Sequence, residues 1–264
     1  MPRIKATVNC DLGEGFSLYT IADDAALMHA LGTSTHPGLA NIACGFHAGD
    51  FSTMEQTVKL AKKHGVRVGA HPSLPDRQGF GRREMGMEPD ELQACFVYQI
   101  GAMTGFLRMH GVPLNHVKPH GAVYGQTARS LPLARAAVAA TKVFFSESES
   151  VAFVGLAGTM HQVACEEAGV RFIPEWFADL EYDPSGKLLI TKKHDPIPAE
   201  TIRERVTRLL QTQQITANDG SYIPLGVGLE EVSICCHSDT PGALETVQLV
   251  KGIVEESNAA AGFA

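Results

Sequence analysis

The chain predicts an α/β fold, a TIM-like (β/α) barrel of seven strand–helix units, with an open doubly wound sheet as the alternative. Three observations predict it. Apolar runs of strand length alternate with segments of helical period along the whole sequence. Most of those runs end on polar residues able to do chemistry. No linker or low-complexity stretch interrupts the series, so the 264 residues read as one domain, 1–264. Strands are expected near 6–10, 38–43, 66–70, 114–118, 151–155, 170–174 and 232–236. Helices are expected at 22–31, 53–64, 89–110, 130–141, 159–168, 199–213 and 240–257. In a parallel barrel, ligand-handling residues collect at the carboxyl ends of the strands, so residues far apart in sequence converge on one pocket.

The first strand carries Asn9 and Asp11 into Asp11-Leu12-Gly13-Glu14-Gly15, two carboxylates in a glycine-rich loop where the backbone can approach a ligand. The plainer alternative is a turn with a helix cap. The second strand enters the densest motif, Asn41-Ile42-Ala43-Cys44-Gly45-Phe46-His47-Ala48-Gly49-Asp50. It should stop at Cys44-Gly45, leaving His47 in the loop with Asp50 to orient its imidazole. Cys44 reads as a packed thiol, because no activating neighbour can be named. Ser52 or Thr53 can cap the following helix and Gly65 stops it.

The third strand ends at His71-Pro72, and Gly79-Phe80-Gly81-Arg82-Arg83 follows. Arg82 is the better candidate to clamp an anionic group, being nearer the glycines. Pro89, Asp90 and Glu91 open the next helix, and Leu92, Phe96, Ile100, Met103 and Leu107 keep its 3.6-residue spacing. The fourth strand runs into Lys118, His120 and Gly121. Lys118 can polarise a carbonyl or hold a carboxylate. His116, inside the strand, receives no role, and His64, His110 and His161 read as surface or packing residues.

The fifth strand ends in Gly155-Leu156-Ala157-Gly158-Thr159, a helix start able to hold an anion. The sixth leads to Glu175 and Asp179. The stretch Asp179–Pro198 breaks the alternation, and its Asp183-Pro184-Ser185-Gly186 turn signal predicts a small hairpin inserted near 180–195. The last strand ends at His237-Ser238-Asp239, with Thr240 as a candidate helix cap. His47, His71 and His120 hold equivalent positions in three units. They suit either a divalent metal, with Asp11, His71 and His120 as candidate ligands, or acid–base and oxyanion chemistry.

Composition narrows the classes. At 44% hydrophobic and 19% charged the chain is globular, and a net charge of −7 without a basic run argues against nucleic acid or an anionic membrane. No signal-peptide h-region follows Met1, and the apolar stretches are too short to span a bilayer. The six cysteines show neither zinc spacing nor a disulfide framework. Reduced thiols in a cytoplasmic protein are expected. P-loop, dinucleotide, Gly-x-Ser-x-Gly and His-Glu-x-x-His motifs are absent.

Several of these blocks together resemble the LamB/YcsF family: Asn9–Glu14, Asn41–Asp50, Gly69–Pro72, Gly79–Arg83, His116–Tyr124, Gly155–Gly158 and Asp239–Gly242, in that order. The resemblance implies a seven-stranded barrel of the glycoside hydrolase/deacetylase type. It implies ATP-dependent hydrolysis of 5-oxoproline, or a related small lactam, to the open amino acid (glutamate), with two partner subunits of the allophanate-hydrolase-like type. Nucleotide is then handled partly or wholly by those partners. Leu180 departs from the pattern, which usually has arginine after Phe-Ala-Asp. Ser73 and Ser238 stand where glycine is usual, and Cys235-Cys236-His237-Ser238 resembles a fungal-like subgroup. If that arginine holds a substrate carboxylate, Leu180 points to a different lactam.

The resulting catalytic candidates are Asp11, Glu14, His47, Lys118 and His120. The substrate-binding candidates are Asn9, Asn41, Gly45, Asp50, His71, Arg82, Tyr124, Glu175, Asp179, His237 and Asp239. The rival readings are a metal-dependent deacetylase or amidohydrolase that works alone, and a non-catalytic lactam-binding subunit.

Overall fold

Seven parallel strands close on themselves in the computed structural model, which describes residues 4–33, 36–146, 150–189, 196–224 and 229–263. In chain order the strands are β1 (Lys5–Leu12), β2 (Leu39–Ala43), β3 (Arg67–His71), β4 (Leu114–Val117), β5 (Ala152–Leu156), β6 (Phe172–Phe177), β7 (Glu181–Tyr182), β8 (Leu188–Leu189), β9 (Gln214–Thr216), β10 (Tyr222–Pro224) and β11 (Glu231–Cys236). The barrel runs β1-β2-β3-β4-β5-β6-β11 and back to β1, every pair parallel. The helices are α1 (Asp24–Gly32), α2 (Phe51–His64), α3 (Pro89–His110), α4 (Gly121–Arg129), α5 (Leu131–Lys142), α6 (Met160–Ala168), α7 (Ala199–Thr212) and α8 (Ala243–Ala261).

The alternation of strand side chains divides the interior in two. Ala6, Val8, Cys10 and Leu12 of β1 join the large apolar cluster, as do Ala40 and Ile42 of β2 and Val232, Ile234 and Cys236 of β11. The opposite parity fills the lumen. There Ala152, Val154 and Ile173 form a small separate apolar cluster, and the remaining lumen positions are mostly polar. Parallel closure brings all seven carboxyl ends to one face, the arrangement expected from the alternating pattern.

Local details differ from expectation at four places. Asp50, rather than Ser52 or Thr53, caps α2: its Oδ1 accepts from Thr53 N at 2.8 Å. The last helix begins at Ala243 behind a left-handed Gly242, and Thr240 Oγ1 donates to His237 O at 3.1 Å instead of capping. Helix α4 was not expected, because Gly121 and Gly125 mask its helical pattern. The β9–β10 hairpin was missed as well, its strands being only three residues long. The predicted insertion is the β7–β8 hairpin, paired Glu181 to Leu189 and Tyr182 to Leu188; its continuation at 190–195 lies outside the described residues. Among the described residues no helix is long and apolar enough to cross a membrane, and all six cysteines are free thiols.

His161 is a packing residue with a defined tautomer. Its Nε2 lies 2.7 Å from Thr127 Oγ1, and Thr127 Oγ1 can itself donate to Val123 O at 2.7 Å. Its Nδ1 accepts from Leu156 N at 3.1 Å, so the hydrogen sits on Nε2. A second proton on Nδ1 would face that N–H, and burial holds the pKa down at about 3. The unfolded chain therefore takes this proton first, and the stability contribution is lost as pH falls through about 6.5. Between pH 7 and pH 5 this group costs the native state about 2 kcal/mol. Urea unfolding of the wild type and His161→Gln at both pH values checks this: the stability gap between them should narrow by that amount.

Candidate functional site

Residues two apart on a strand share a face, and this rule assembles the site. Asn9 and Asp11, His116 and Lys118, and Ser233, Cys235 and His237 all project into the lumen. Lys118 sits at the centre. Its Nζ donates to Asp11 Oδ1 at 3.0 Å, Asn9 Oδ1 at 3.2 Å and Cys235 Sγ at 3.0 Å. It also lies 3.0 Å from Glu175 Oε1. Asn41 Nδ2 donates to Asn9 Oδ1 and Asp11 Oδ1, both at 2.8 Å. His116 Nε2 donates to Asn41 Oδ1 at 2.7 Å, and Asn9 Nδ2 to Ser233 Oγ at 2.8 Å. Burial opposes the Lys118 charge, but Asp11, Cys235 and Glu175 more than offset it and hold its pKa well above the ordinary value. Burial likewise pushes the Asp11 carboxyl up, yet the charges of His71 and Lys118 bring it well below the usual range. An ionised carboxylate and an ammonium therefore coexist in the floor.

Beside this floor stand four further side chains. Glu14 Oε1 is 3.0 Å from His47 Nε2 and 3.6 Å from His120 Nδ1. His120 Nδ1 is 3.0 Å from His71 Nε2. The His47 and His120 rings stack with centroids 3.6 Å apart, and Phe80 packs edge-on against both. Burial pushes both histidines well below their ordinary pKa, helped by neighbouring positive charge. Burial and the Asp11 and Asp239 charges push Glu14 up. Gly81 permits this packing: at its φ of +64° a Cβ would meet His120 Cδ2 at 2.8 Å and His47 Cβ at 2.9 Å. Phe80, in the same turn, adopts a left-handed φ of 54°.

On the other side of Asp11, His237 Nδ1 is 2.9 Å from Asp179 Oδ1, and the His237 backbone N donates to Asp179 Oδ2 at 2.6 Å. Burial disfavours the His237 charge, but Asp179 outweighs it and raises the pKa. His237 Nε2 lies 3.8 Å from Asp11 Oδ2. Asp11, His71, Arg82, Lys118, His120, Tyr124 and His237 all line a cavity of about 20 Å³, with Phe177, Leu180 and Leu188 as its apolar wall. That is room for one water molecule. At the rim Arg82 Nη1 pairs with Asp239 Oδ2 at 2.9 Å.

The remaining candidates lie elsewhere. Asn9, Asn41 and Glu175 lie outside the cavity wall, in the buried floor, where they meet the Lys118 network. Gly45 closes a turn, its N donating to Ala48 O at 3.0 Å, while its carbonyl accepts from Arg77. Asp50 does not orient His47: its oxygens accept from Thr53 N and Ser17 N at 2.8 Å each. A helix cap and a loop tie occupy that carboxylate, and Glu14 takes the place expected for it. Sequence reasoning also missed His116, Ser233 and Cys235. The period-2 rule could have found them, since His116 lies two residues from Lys118 and Cys235 and Ser233 lie two and four residues before His237. Gly69 is the local counterpart of His116: a Cβ there would meet His116 Nε2 at 2.1 Å.

Fold and site together define a seven-stranded (β/α) barrel with a buried acid–base and lysine site at its carboxyl-end face. The LamB/YcsF family model matches residues 6–262, and the chain belongs to that family. It is 43% identical over 259 residues to the lactam utilization protein lamB of Emericella nidulans, spanning 98% of each. It is 44% identical over 239 residues to the A subunit of 5-oxoprolinase from Methylococcus capsulatus, spanning 89% of this chain and 86% of that one. Among solved structures, the lactam utilization protein of Thermus thermophilus superposes with a TM-score of 0.82 at 35% identity, covering 97% of this chain and 98% of that one.

Replacing Lys118 by methionine keeps the volume and strands Asp11 and Glu175 without their cation. Lys118→Met should lower unfolding free energy by about 3–5 kcal/mol in urea titrations at pH 7. An unchanged midpoint and slope would refute the central place given to this ammonium.

Proposed function

We propose that this chain is the lactam-opening subunit of a 5-oxoprolinase, converting 5-oxoproline or a related small lactam to the open amino acid. The ring-opening role belongs to one domain spanning 1–264, working with two allophanate-hydrolase-like subunits and consuming ATP. The reading is supported by the names of relatives that match nearly the whole chain. The observation that carries it is a pair of cavity-lining groups with opposite pKa displacements, Asp11 low and His237 high, beside the Lys118 ammonium.

An unstrained amide resists water until its carbonyl is activated and its nitrogen protonated. Lys118 faces the cavity as a fixed positive charge, suited to stabilise negative charge developing on the carbonyl oxygen or on a phosphoryl group attached to it. Asp11 Oδ2, on the side away from Lys118, accepts a proton from the attacking water. His237, kept charged by Asp179, delivers a proton to the leaving nitrogen. The displacements favour an ionised Asp11 and a protonated His237, the forms each role needs, while the depressed Asp11 pKa makes it the weaker base. The wall formed by Leu180 and Leu188 is apolar, which suits the methylenes of a lactam ring and leaves Arg82, on the same cavity, as the cation for a substrate carboxylate.

A second reading, an amidohydrolase working alone, is favoured by the Glu14, His47, His71 and His120 cluster. Glutamate release from 5-oxoproline separates the two. With partners and ATP the complex should turn over, and Lys118→Ala should lower kcat/KM about 100-fold or more. Turnover by the isolated chain without ATP identifies the second reading. No release in any combination removes 5-oxoproline as substrate.

The acid assignment has its own pH signature. Activity should fall as pH rises through the raised His237 pKa, because the proton donor is lost. Asp179→Asn removes the charge that raises it, so the alkaline limb of kcat/KM should move to lower pH. A limb that stays in place would assign the proton to another group.

A further inference from the structure

We propose that Glu14, His47, His71 and His120 form a binding site for one divalent transition-metal ion of the zinc class. The four ligand atoms lie within 4.8 Å of one another and all four residues are buried. The adjacent separations of 3.0, 3.0 and 3.6 Å bring the donors close enough to share an ion at about 2.0–2.2 Å from each, with one of the stacked His47 and His120 rings turning so that both lone pairs reach it.

The strongest argument comes from the outward-facing nitrogens. His71 Nδ1 lies 2.7 Å from Lys118 O, and His120 Nε2 lies 2.8 Å from Phe80 O. A backbone carbonyl only accepts, so each of these ring nitrogens carries the hydrogen. His120 Nδ1 is then left with its lone pair, facing His71 Nε2 at 3.0 Å, and that same His71 nitrogen lies 3.2 Å from Asp11 Oδ2. Electron-rich atoms thus converge on this point, which either a proton on His71 Nε2 or a metal ion can occupy, and the metal titration distinguishes the two. Carbonyls behind the far ring nitrogens are also how proteins orient metal-binding imidazoles. Glu14 supplies the one carboxylate of the set.

The neighbouring set of Asp11, Cys235 and His237 is a poorer candidate, because the Lys118 ammonium already touches both Asp11 and Cys235 at 3.0 Å. Three imidazoles and one carboxylate favour zinc, cobalt or a similar ion and disfavour magnesium and calcium, which prefer oxygen ligands. His71 and His120 line the cavity, so an ion there has a face toward whatever enters, where it would act as a Lewis acid on a carbonyl. The assignment stands on this geometry and does not depend on the lactam reading.

The test uses the full chain stripped with a chelator and titrated with Zn²⁺ alone and Co²⁺ alone. One ion should bind per chain by calorimetry and elemental analysis, and Co²⁺ should show the ligand-field absorption of a low-coordinate nitrogen–oxygen site. Excess Mg²⁺ should not compete. Glu14→Gln and His120→Gln should each weaken Zn²⁺ binding about tenfold or more, while His110→Gln, on the outer surface beside Glu55, should leave it unchanged. Should the variants misfold, the wild-type thermal midpoint decides: it should rise with Zn²⁺ and not with Mg²⁺. Folded protein that binds no stoichiometric Zn²⁺, or a His71→Gln/His120→Gln double variant that binds it as tightly as wild type, overturns the proposal. Neither readout involves turnover, so failure of the substrate assignment leaves it standing.

Discussion

The Lys118 ammonium is the interaction on which the rest of this site depends. It is buried in a barrel lumen with the carboxylates of Asp11 and Glu175 at 3.0 Å. Without that charge, two buried anions would face each other in a low-dielectric interior, and one or both would take up a proton. With it, Asp11 stays ionised, and an ionised Asp11 influences both neighbouring histidines. The same ammonium fixes Asn9, which fixes Asn41, which receives His116. A polar lumen of this kind is tolerable only because nearly every donor in it finds an acceptor.

The mouth of the barrel is electrostatically divided. Around Asp11, Lys118 and His237 the groups are charged, each held so by a partner of opposite sign. Around Glu14, His47 and His120 burial dominates and neutral forms prevail. His71 is the border, 3.2 Å from Asp11 Oδ2 on one side and 3.0 Å from His120 Nδ1 on the other. Chemistry that needs a base, an acid and a fixed charge belongs to the first half. Chemistry that needs lone pairs belongs to the second. The fold supplies both from strand ends that are remote in sequence but adjacent around the barrel.

Much of this was legible in the sequence. The strands and their polar ends follow from short apolar runs, and parallel closure gathers those ends on one face. Asp11, His71, Lys118, His120 and His237 were all marked by their position just beyond such a run. What escaped was anything set by depth instead of position along the chain. His116 looked like a strand filler, yet its ring lies across a glycine on the neighbouring strand and donates to Asn41. Asp50 looked like a partner for His47 because it is three residues away. It instead caps a helix, while Glu14, more than thirty residues distant, reaches the imidazole. Local patterns report which face a side chain takes, and closure of the barrel decides whom it meets there.

The cover of the cavity bears on substrate choice. Leu180 and Leu188 belong to the hairpin region that interrupts the strand–helix alternation, and both line a space of about 20 Å³. Those two leucines are the apolar boundary that an entering lactam ring meets. Arg82, paired with Asp239 at 2.9 Å, bounds the same space. The barrel floor is tied down on every side by hydrogen bonds and strand pairing, whereas the β7–β8 hairpin is a two-stranded element with two residue pairs. The hairpin is anchored through Tyr182, whose hydroxyl accepts from Phe177 N at 2.9 Å and whose carbonyl accepts from Asn218 N at 2.7 Å, so its apolar wall is held at a fixed place over the floor. An apolar wall over the ring excludes water and strengthens each charge in the floor. On this view the insertion decides which ring is accepted, and the barrel decides what is done to it.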